Sequence, residues 1–266
     1  MSQTSPELEE SLRQFITIFK MAGRPFPQVD QTDRPGLAIS WPNTDFPFYN
    51  ALFLTEHLMD AQMLEDRVQQ AAAYLRAHQK SGLFVVCLDN VSGPAKKTLA
   101  TVLAGAKFVQ AIPMTGMAGD ILPIEAPGHP ALRFERIGDD RTIQEFAQLN
   151  CIAYNVPIEA SHSLVKEHTL WHEHAHGFVA YEGHTPVSTA TAVINEGRLY
   201  LFLVATLPEA RRKGYGEAVV RHALQAAHTA TGIRRTVLHA TEAGYPIYQR
   251  LGYRPTVKFM GCMLES

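Results

Sequence analysis

Cysteine is scarce: Cys87, Cys151 and Cys262 are the three in 266 residues. An odd number at wide spacing excludes a disulfide framework and offers no zinc knuckle. It suits buried, reduced thiols in a cytoplasmic protein. Long apolar runs are missing as well. The longest, Leu83 to Leu88 and Leu199 to Leu207, fall far short of the ~20 residues that cross a bilayer. The opening Met-Ser-Gln-Thr-Ser-Pro-Glu has neither the basic nor the apolar region of a secretory signal. No sign of charge dominates, since 24 Lys and Arg stand against 26 Asp and Glu for a net −2. That balance gives no footprint for nucleic acid or an anionic membrane, and neither partner is expected. What remains, 46% apolar and 19% charged residues, describes a globular chain long enough for one large domain or two ordinary ones.

The most informative stretch runs from Val204 to Val219, VATLPEARRKGYGEAV. The apolar run Leu199 to Leu207 reads as a buried strand, followed by a basic glycine turn and an amphipathic helix. The first amides of a helix have no partner inside it, and its dipole is positive at that end. Gly214 and Gly216 let the backbone approach a ligand closely, and Arg211, Arg212 and Lys213 add charge at the rim. This is a cradle for a phosphate or pyrophosphate. A Walker loop is absent, and the dinucleotide fingerprint fails because Val219 stands where its third small residue belongs.

The spacing Arg211-x-x-Gly214-x-Gly216 resembles the coenzyme A pyrophosphate loop, Arg/Gln-x-x-Gly-x-Gly/Ala, of the GNAT N-acetyltransferase superfamily. Downstream, Val237 to Tyr253 (VLHATEAGYPIYQRLGY) is similar to the later motif of that family: a strand, a short helix with Tyr248, then Leu-Gly-Tyr opening another strand. The two stretches come in the family's order, with a helix from Glu217 to about Thr231 between them. Val219, Val220, Ala223, Leu224 and Ala227 form its apolar face, and Gly232 suits its C-terminus. Thr241 and Gly244 depart from the Asn and Ala often found there. The resemblance covers roughly residues 130 to 266.

Helix and strand alternate in the first half too. Ser5-Pro6 can cap a helix with the stripe Leu8, Leu12, Phe15, Ile16 and Phe19. Strands are expected at Leu52–Leu54, Leu83–Leu88 and Phe108–Met114, and helices at Met59 to Gln79 and Pro94 to Leu103. Pro42 and Pro47 interrupt any long strand in residues 26–50. Ala104 to Phe108 sits where the second half has Arg250 to Tyr253. The resemblance, extended to the first half, implies the fold class α/β, with two tandem GNAT-like domains, each a mixed, mostly antiparallel central sheet flanked by helices. The Pro- and Gly-punctuated stretch Ile124 to Pro130 divides a degenerate domain at 1–126 from an acetyltransferase domain at 127–266. In the second half, strands are expected at Ala131–Ile137, Gly177–Glu182 and Val187–Asn195. Helices are expected after Asp139 or Asp140 and from Glu159 to Trp171.

His172-x-His174-x-His176 beside His168 invites a metal. The spacing misses His-Glu-x-x-His, and no Cys or carboxylate cluster completes four ligands, so no metal is expected. The resemblance implies acetyl-CoA as co-substrate. It would be held by backbone groups of Leu203, Val204 and Thr206 along the pantetheine arm and thioester, and by the loop Arg211, Arg212, Lys213, Gly214, Tyr215, Gly216 and Glu217 around the pyrophosphate. Tyr248 corresponds to the general acid. Glu209, Glu196 and His239 lie near enough in sequence to consider as a base, but none is singled out. Tyr154, Trp171, Trp41, Phe48 and Tyr49 could wall the acceptor groove, although any core uses such aromatics. The implied function is transfer of an acyl group from the thioester to a primary amine, on a small molecule or a protein, by a monomer or homodimer. A non-catalytic acyl-CoA sensor or another phosphate-binding protein are the competing readings.

Overall fold

The computed structural model describes residues 5–120, 129–165 and 173–265. In chain order it contains helix α1 (Pro6–Gly23), strands β1 (Leu37–Ser40) and β2 (Ala51–Leu54), α2 (Ala61–Arg76), β3 (Leu83–Cys87), α3 (Gly93–Gly105) and β4 (Phe108–Gly119). Next come β5 (Leu132–Arg136), α4 (Asp140–Ala153), α5 (Ser161–Val165), β6 (Ala175–Glu182), β7 (Thr185–Asn195) and β8 (Arg198–Thr206). Helix α6 (Tyr215–Thr231), β9 (Thr236–Thr241), α7 (Tyr245–Arg250) and β10 (Arg254–Leu264) complete it. Two compact units result. The first is Met1–Gly116, His239–Ala243 and Pro255–Ser266; the second is Met117–Leu238 and Gly244–Arg254. Most of the expected linker, 124–128, lies outside the described residues, as does the expected helix beyond Val165 up to residue 172.

In the first unit the strand order is β1-β2-β3-β10-β4. β1 and β2 pair antiparallel, β2 and β3 parallel, and β3 and β10 antiparallel, from Phe84↔Cys262 to Cys87↔Phe259. Helix α1 starts as expected: Ser5 Oγ accepts from the Leu8 amide (3.2 Å) and Pro6 follows. Its buried face uses Ile18 rather than Ile16. β1 was not expected. Four residues between the turn at Gly36 and Pro42 are too few for a hydrophobic period to register. Behind these strands Asn50 is fully buried, and its amide nitrogen donates to the carbonyls of Thr44 and Ser81, both at 2.8 Å. Those bonds satisfy the loop between β1 and β2.

In the second unit the order is β9-β8-β7-β6-β5. β5 to β8 are antiparallel neighbours, and β8 pairs parallel with β9. β7 is buried without a break from Val187 to Val193, as befits a strand covered on both faces. Its hydroxyls are tied to main chain: Thr189 Oγ1 donates to the Phe178 carbonyl and Ser188 Oγ to that of Ala205, each at 2.8 Å. Asp139 proves to be the cap of α4, in a reciprocal box with Thr142. Each unit holds a parallel strand pair joined through a helix, β2–α2–β3 and β8–α6–β9, because parallel neighbours require a crossover. The following turns also agree. Lys107 (φ 66°) and Gly252 (φ 89°) both adopt the left-handed conformation just before the next strand, each donating its amide to the carbonyl three residues back at 3.0 Å.

His239 belongs to the first unit. Its ring stacks on Phe15 (3.8 Å between centroids), meets Phe259 edge-on (4.7 Å) and bonds Ser11 Oγ through Nε2 (3.1 Å). Burial pushes its pKa down to about 3. The unfolded chain therefore takes up a proton that the folded chain refuses as pH falls from about 6.5 towards 3, so stability is full above that window and lost within it. Urea unfolding should show His239→Gln losing about 2 kcal/mol less than the parent between about pH 7 and pH 5.

Candidate functional site

The second unit builds its site where β8 leaves the sheet. The β7–β8 register runs Thr189↔Ala205 and then Thr191↔Phe202, so Leu203 and Val204 together face Ala190. This is a β-bulge, and Leu203 sits in it at φ 50°, a conformation that suits glycine far better than leucine. On its other side, β8 pairs with β9 only at Leu199↔Thr236 and Tyr200↔Val237. Beyond Tyr200 that edge of β8 has left the ladder. The strand thus turns backbone groups away from the sheet where Leu203, Val204 and Thr206 were expected to meet a ligand.

The loop follows a short 3-10 turn, Pro208–Ala210. Arg212 (φ 64°) and Gly214 (φ 82°) are both left-handed, and α6 begins at Tyr215 with no side chain over its first turn. Its first internal bond runs from the Ala218 amide to the Gly214 carbonyl (3.0 Å). Among the described residues the amides of Gly214, Tyr215, Gly216 and Glu217 have no protein acceptor. Open N–H groups and a positive dipole end of this kind are what an anion can be received by. Gly216 is closely packed: a Cβ there would lie 3.0 Å from Thr206 Oγ1, so that hydroxyl would have to give way by a few tenths of an ångström. That hydroxyl is held by Ser188 Oγ at 2.7 Å. In the first unit, by contrast, Asp60 closes α2 by accepting from the Met63 amide at 2.9 Å, so a carboxylate already occupies that helix end.

The family model for acetyltransferases of the GNAT type matches residues 143–253, which include the bulge, the loop and Tyr248. Those residues form a GNAT-family domain. Among curated proteins none matches the chain. Similar solved structures include a GCN5-related N-acetyltransferase from Kribbella flavida, with 16% identity over 96% of each chain and a TM-score of 0.68. Another, from Sphaerobacter thermophilus, shares 12% identity over 95% of this chain and 91% of that one, with a TM-score of 0.58. A tandem GNAT protein from the clavulanic acid biosynthesis pathway shares 12% identity over 97% and 95%, with a TM-score of 0.55. At these identities the likeness is one of fold, and it spans both halves. The chain has the tandem GNAT architecture expected from its sequence.

Side chains brace the GNAT loop. Lys213 Nζ pairs with Glu182 Oε2 (3.2 Å), and the Tyr215 hydroxyl donates to the same carboxylate. Those two donors hold Glu182 below the usual carboxylate range. His129 Nε2 bonds the Lys213 carbonyl at 3.0 Å. Arg211 points back into the fold, donating to the carbonyls of Thr206 (3.3 Å) and Ala153 (3.4 Å). Glu217 is bonded by Arg221 (3.0 Å) and Arg250 (3.1 Å). Sequence reading did not single out Glu182 or His129; they lie 33 and 84 residues from the loop groups they hold, and no local pattern marks such pairs.

Tyr248 lies on α7 and is 8% exposed. Burial first, then the neighbouring Tyr154 and Tyr253, push its pKa well above that of a free phenol. It therefore keeps its proton at any physiological pH. Tyr154 donates to the Val204 carbonyl at 3.2 Å. Of the other aromatics considered for a groove wall, Trp41 (1% exposed) and Tyr49 (5%) are core residues of the first unit, Phe48 packs on Phe46, and Trp171 lies outside the described residues. His239 is half-buried and packed against Phe15 and Phe259 of the first unit. His168 and His172 also fall outside the described residues. His174 approaches Glu173 at 3.8 Å, while His176 sits beside Arg136, burial and that cation lowering its pKa. Among the described residues, no three His, Cys, Asp or Glu are placed to hold a metal.

The left-handed Gly214 can be checked by stability alone. A Cβ there would meet nothing nearer than His129 at 3.8 Å. Gly214→Ala should thus cost about 1 kcal/mol from backbone strain, read as a lowered urea midpoint at constant slope.

Proposed function

We propose that the chain is an acetyl-CoA-dependent N-acetyltransferase that passes the acyl group directly to a primary amine. The observation that carries this reading is the uncapped N-terminus of α6, with Gly214 and Gly216 opening it and the β8 bulge leading into it. The residues fit a pantetheine-bearing diphosphate. Amides from Arg212 to Glu217 would take its oxygens, while backbone groups at Leu203, Val204 and Thr206 would line the arm. Arg212 is the loop cation placed to add charge, since Lys213 is engaged by Glu182 and Arg211 by two carbonyls.

The chemistry follows from what these groups can do. A neutral amine attacks the thioester carbonyl, and a backbone N–H at the bulge stabilises the oxyanion that forms. As the carbon–sulfur bond breaks, Tyr248 gives its phenolic proton to the departing thiolate, and the proton that the amine nitrogen loses on becoming an amide returns through solvent to the Tyr248 phenolate. Its burial among tyrosines supports a donor that is protonated before each turnover. The first unit, whose α2 terminus is closed by Asp60, would hold no coenzyme in this manner. The acceptor is an amine on a small molecule or a protein, and the enzyme acts as a monomer or homodimer. The compartment is the cytoplasm, in keeping with three buried, unpaired cysteines.

Calorimetry on Gly214→Val should find no coenzyme A binding, with circular dichroism unchanged; affinity equal to the parent's would refute the cradle. Tyr248→Phe should reduce kcat by about 100-fold while changing acetyl-CoA affinity by less than about twofold. Equal turnover would remove the assigned role. A screen of amines for acetyl-CoA-dependent thiol release tests the activity itself, and binding without release from any of them would favour a sensor.

A further inference from the structure

The β8 bulge is held from outside the sheet. Leu203 is left-handed without being glycine, a conformation that persists only where its surroundings enforce it. One restraint is visible at the next residue, where the Tyr154 hydroxyl donates to the Val204 carbonyl at 3.2 Å. A carbonyl can only accept, so the direction of this bond is fixed. Burial pushes the Tyr154 phenol up to about 12, which keeps the donor protonated. Tyr154 is itself anchored, as the residue that closes α4, by its amide bonding the Asn150 carbonyl at 3.0 Å. A second tie runs in parallel. Arg211 joins the carbonyl of Ala153, one residue earlier on α4, to that of Thr206, two residues later on β8. The end of α4 therefore grips β8 on both sides of Ala205.

We propose that Tyr154 is a positioning residue for acyl transfer: by holding the Val204 carbonyl it fixes the bulge, so that the backbone at Leu203 and Val204 meets the thioester in one orientation. This rests on the reading of the second unit as an acetyl-CoA-dependent transferase. Tyr154 acts through the main chain. Without its hydroxyl the Val204 carbonyl loses this donor, and Leu203 can relax towards an extended conformation. The diphosphate cradle, built on α6, keeps its own supports at Glu182 and His129.

The test is Tyr154→Phe, which removes one oxygen. Coenzyme A affinity by calorimetry should stay within about twofold, while kcat falls at least about tenfold and the variant loses any preference for acetyl-CoA over coenzyme A. Turnover equal to the parent's overturns the proposal. So does an equal fall in affinity for both ligands with a lowered melting temperature, or a variant that does not fold, since the hydroxyl would then serve stability alone. A parent protein that binds no coenzyme A would overturn the transferase reading and this inference with it.

Discussion

A helix that starts with its amides uncovered is the constraint on which the second unit depends. α1, α2 and α4 close their first turns with Ser5, Asp60 and Asp139. α6 does not; it begins after the left-handed Gly214, and Gly216 keeps the space beside Thr206 clear. Leaving donors unsatisfied forgoes roughly the 1 kcal/mol a cap supplies. α3 and the short α7 also start without a side-chain cap, but each carries proline in its first turn, where α6 has the left-handed Gly214 before it. The supports around the turn follow from this, since a loop without a cap must be held by something else. Glu182 and His129 do so from two other segments of the unit, while Arg211 reaches out of the loop to the carbonyls of Thr206 and Ala153.

Strain is the counterpart of that openness. Leu203 and Arg212 both occupy the left-handed region without being glycine, one before the 3-10 turn and the other after it. Each non-glycine residue there costs about 1 kcal/mol or more. The strand can bear this because its other groups are well satisfied: Ser188 bonds the Ala205 carbonyl, and Tyr154 that of Val204. Burial then does for chemistry what it cannot do for charge. Tyr154, Tyr200 and Tyr248 all keep their protons, so this corner of the unit offers phenolic donors rather than anions.

Much of this was legible in the residues because it is local. Gly214 and Gly216 at their spacing, the apolar face from Val219 to Ala227, and Ser5 and Asp139 as caps all act within a few positions of themselves. The bulge has no local signal, because the residue that adopts the left-handed conformation in it is Leu203 and not a glycine. Long-range pairings were not legible at all. Nothing near Glu182 points to Tyr215, and nothing near His239 says that Phe15 will stack on it. The histidine considered as a base turned out to be a neutral, packed residue for that reason: the aromatic neighbours that decide its charge are supplied by α1 and β10. Trp41 and Tyr49 illustrate the same limit, being aromatics whose burial is set by distant partners.

The last strand has a bearing on how such a chain could be rebuilt. Residues from Pro255 onward belong to the first unit, where Phe259 and Cys262 pair with β3, although they follow nearly all of the second unit in sequence. The halves are therefore not interchangeable cassettes. A recombination event that swapped everything after the linker would also replace a strand of the first unit's own sheet, and would need a compatible terminal segment to survive. The second unit can vary on its own only as far as Arg254, because the segment that follows it completes the first unit's sheet.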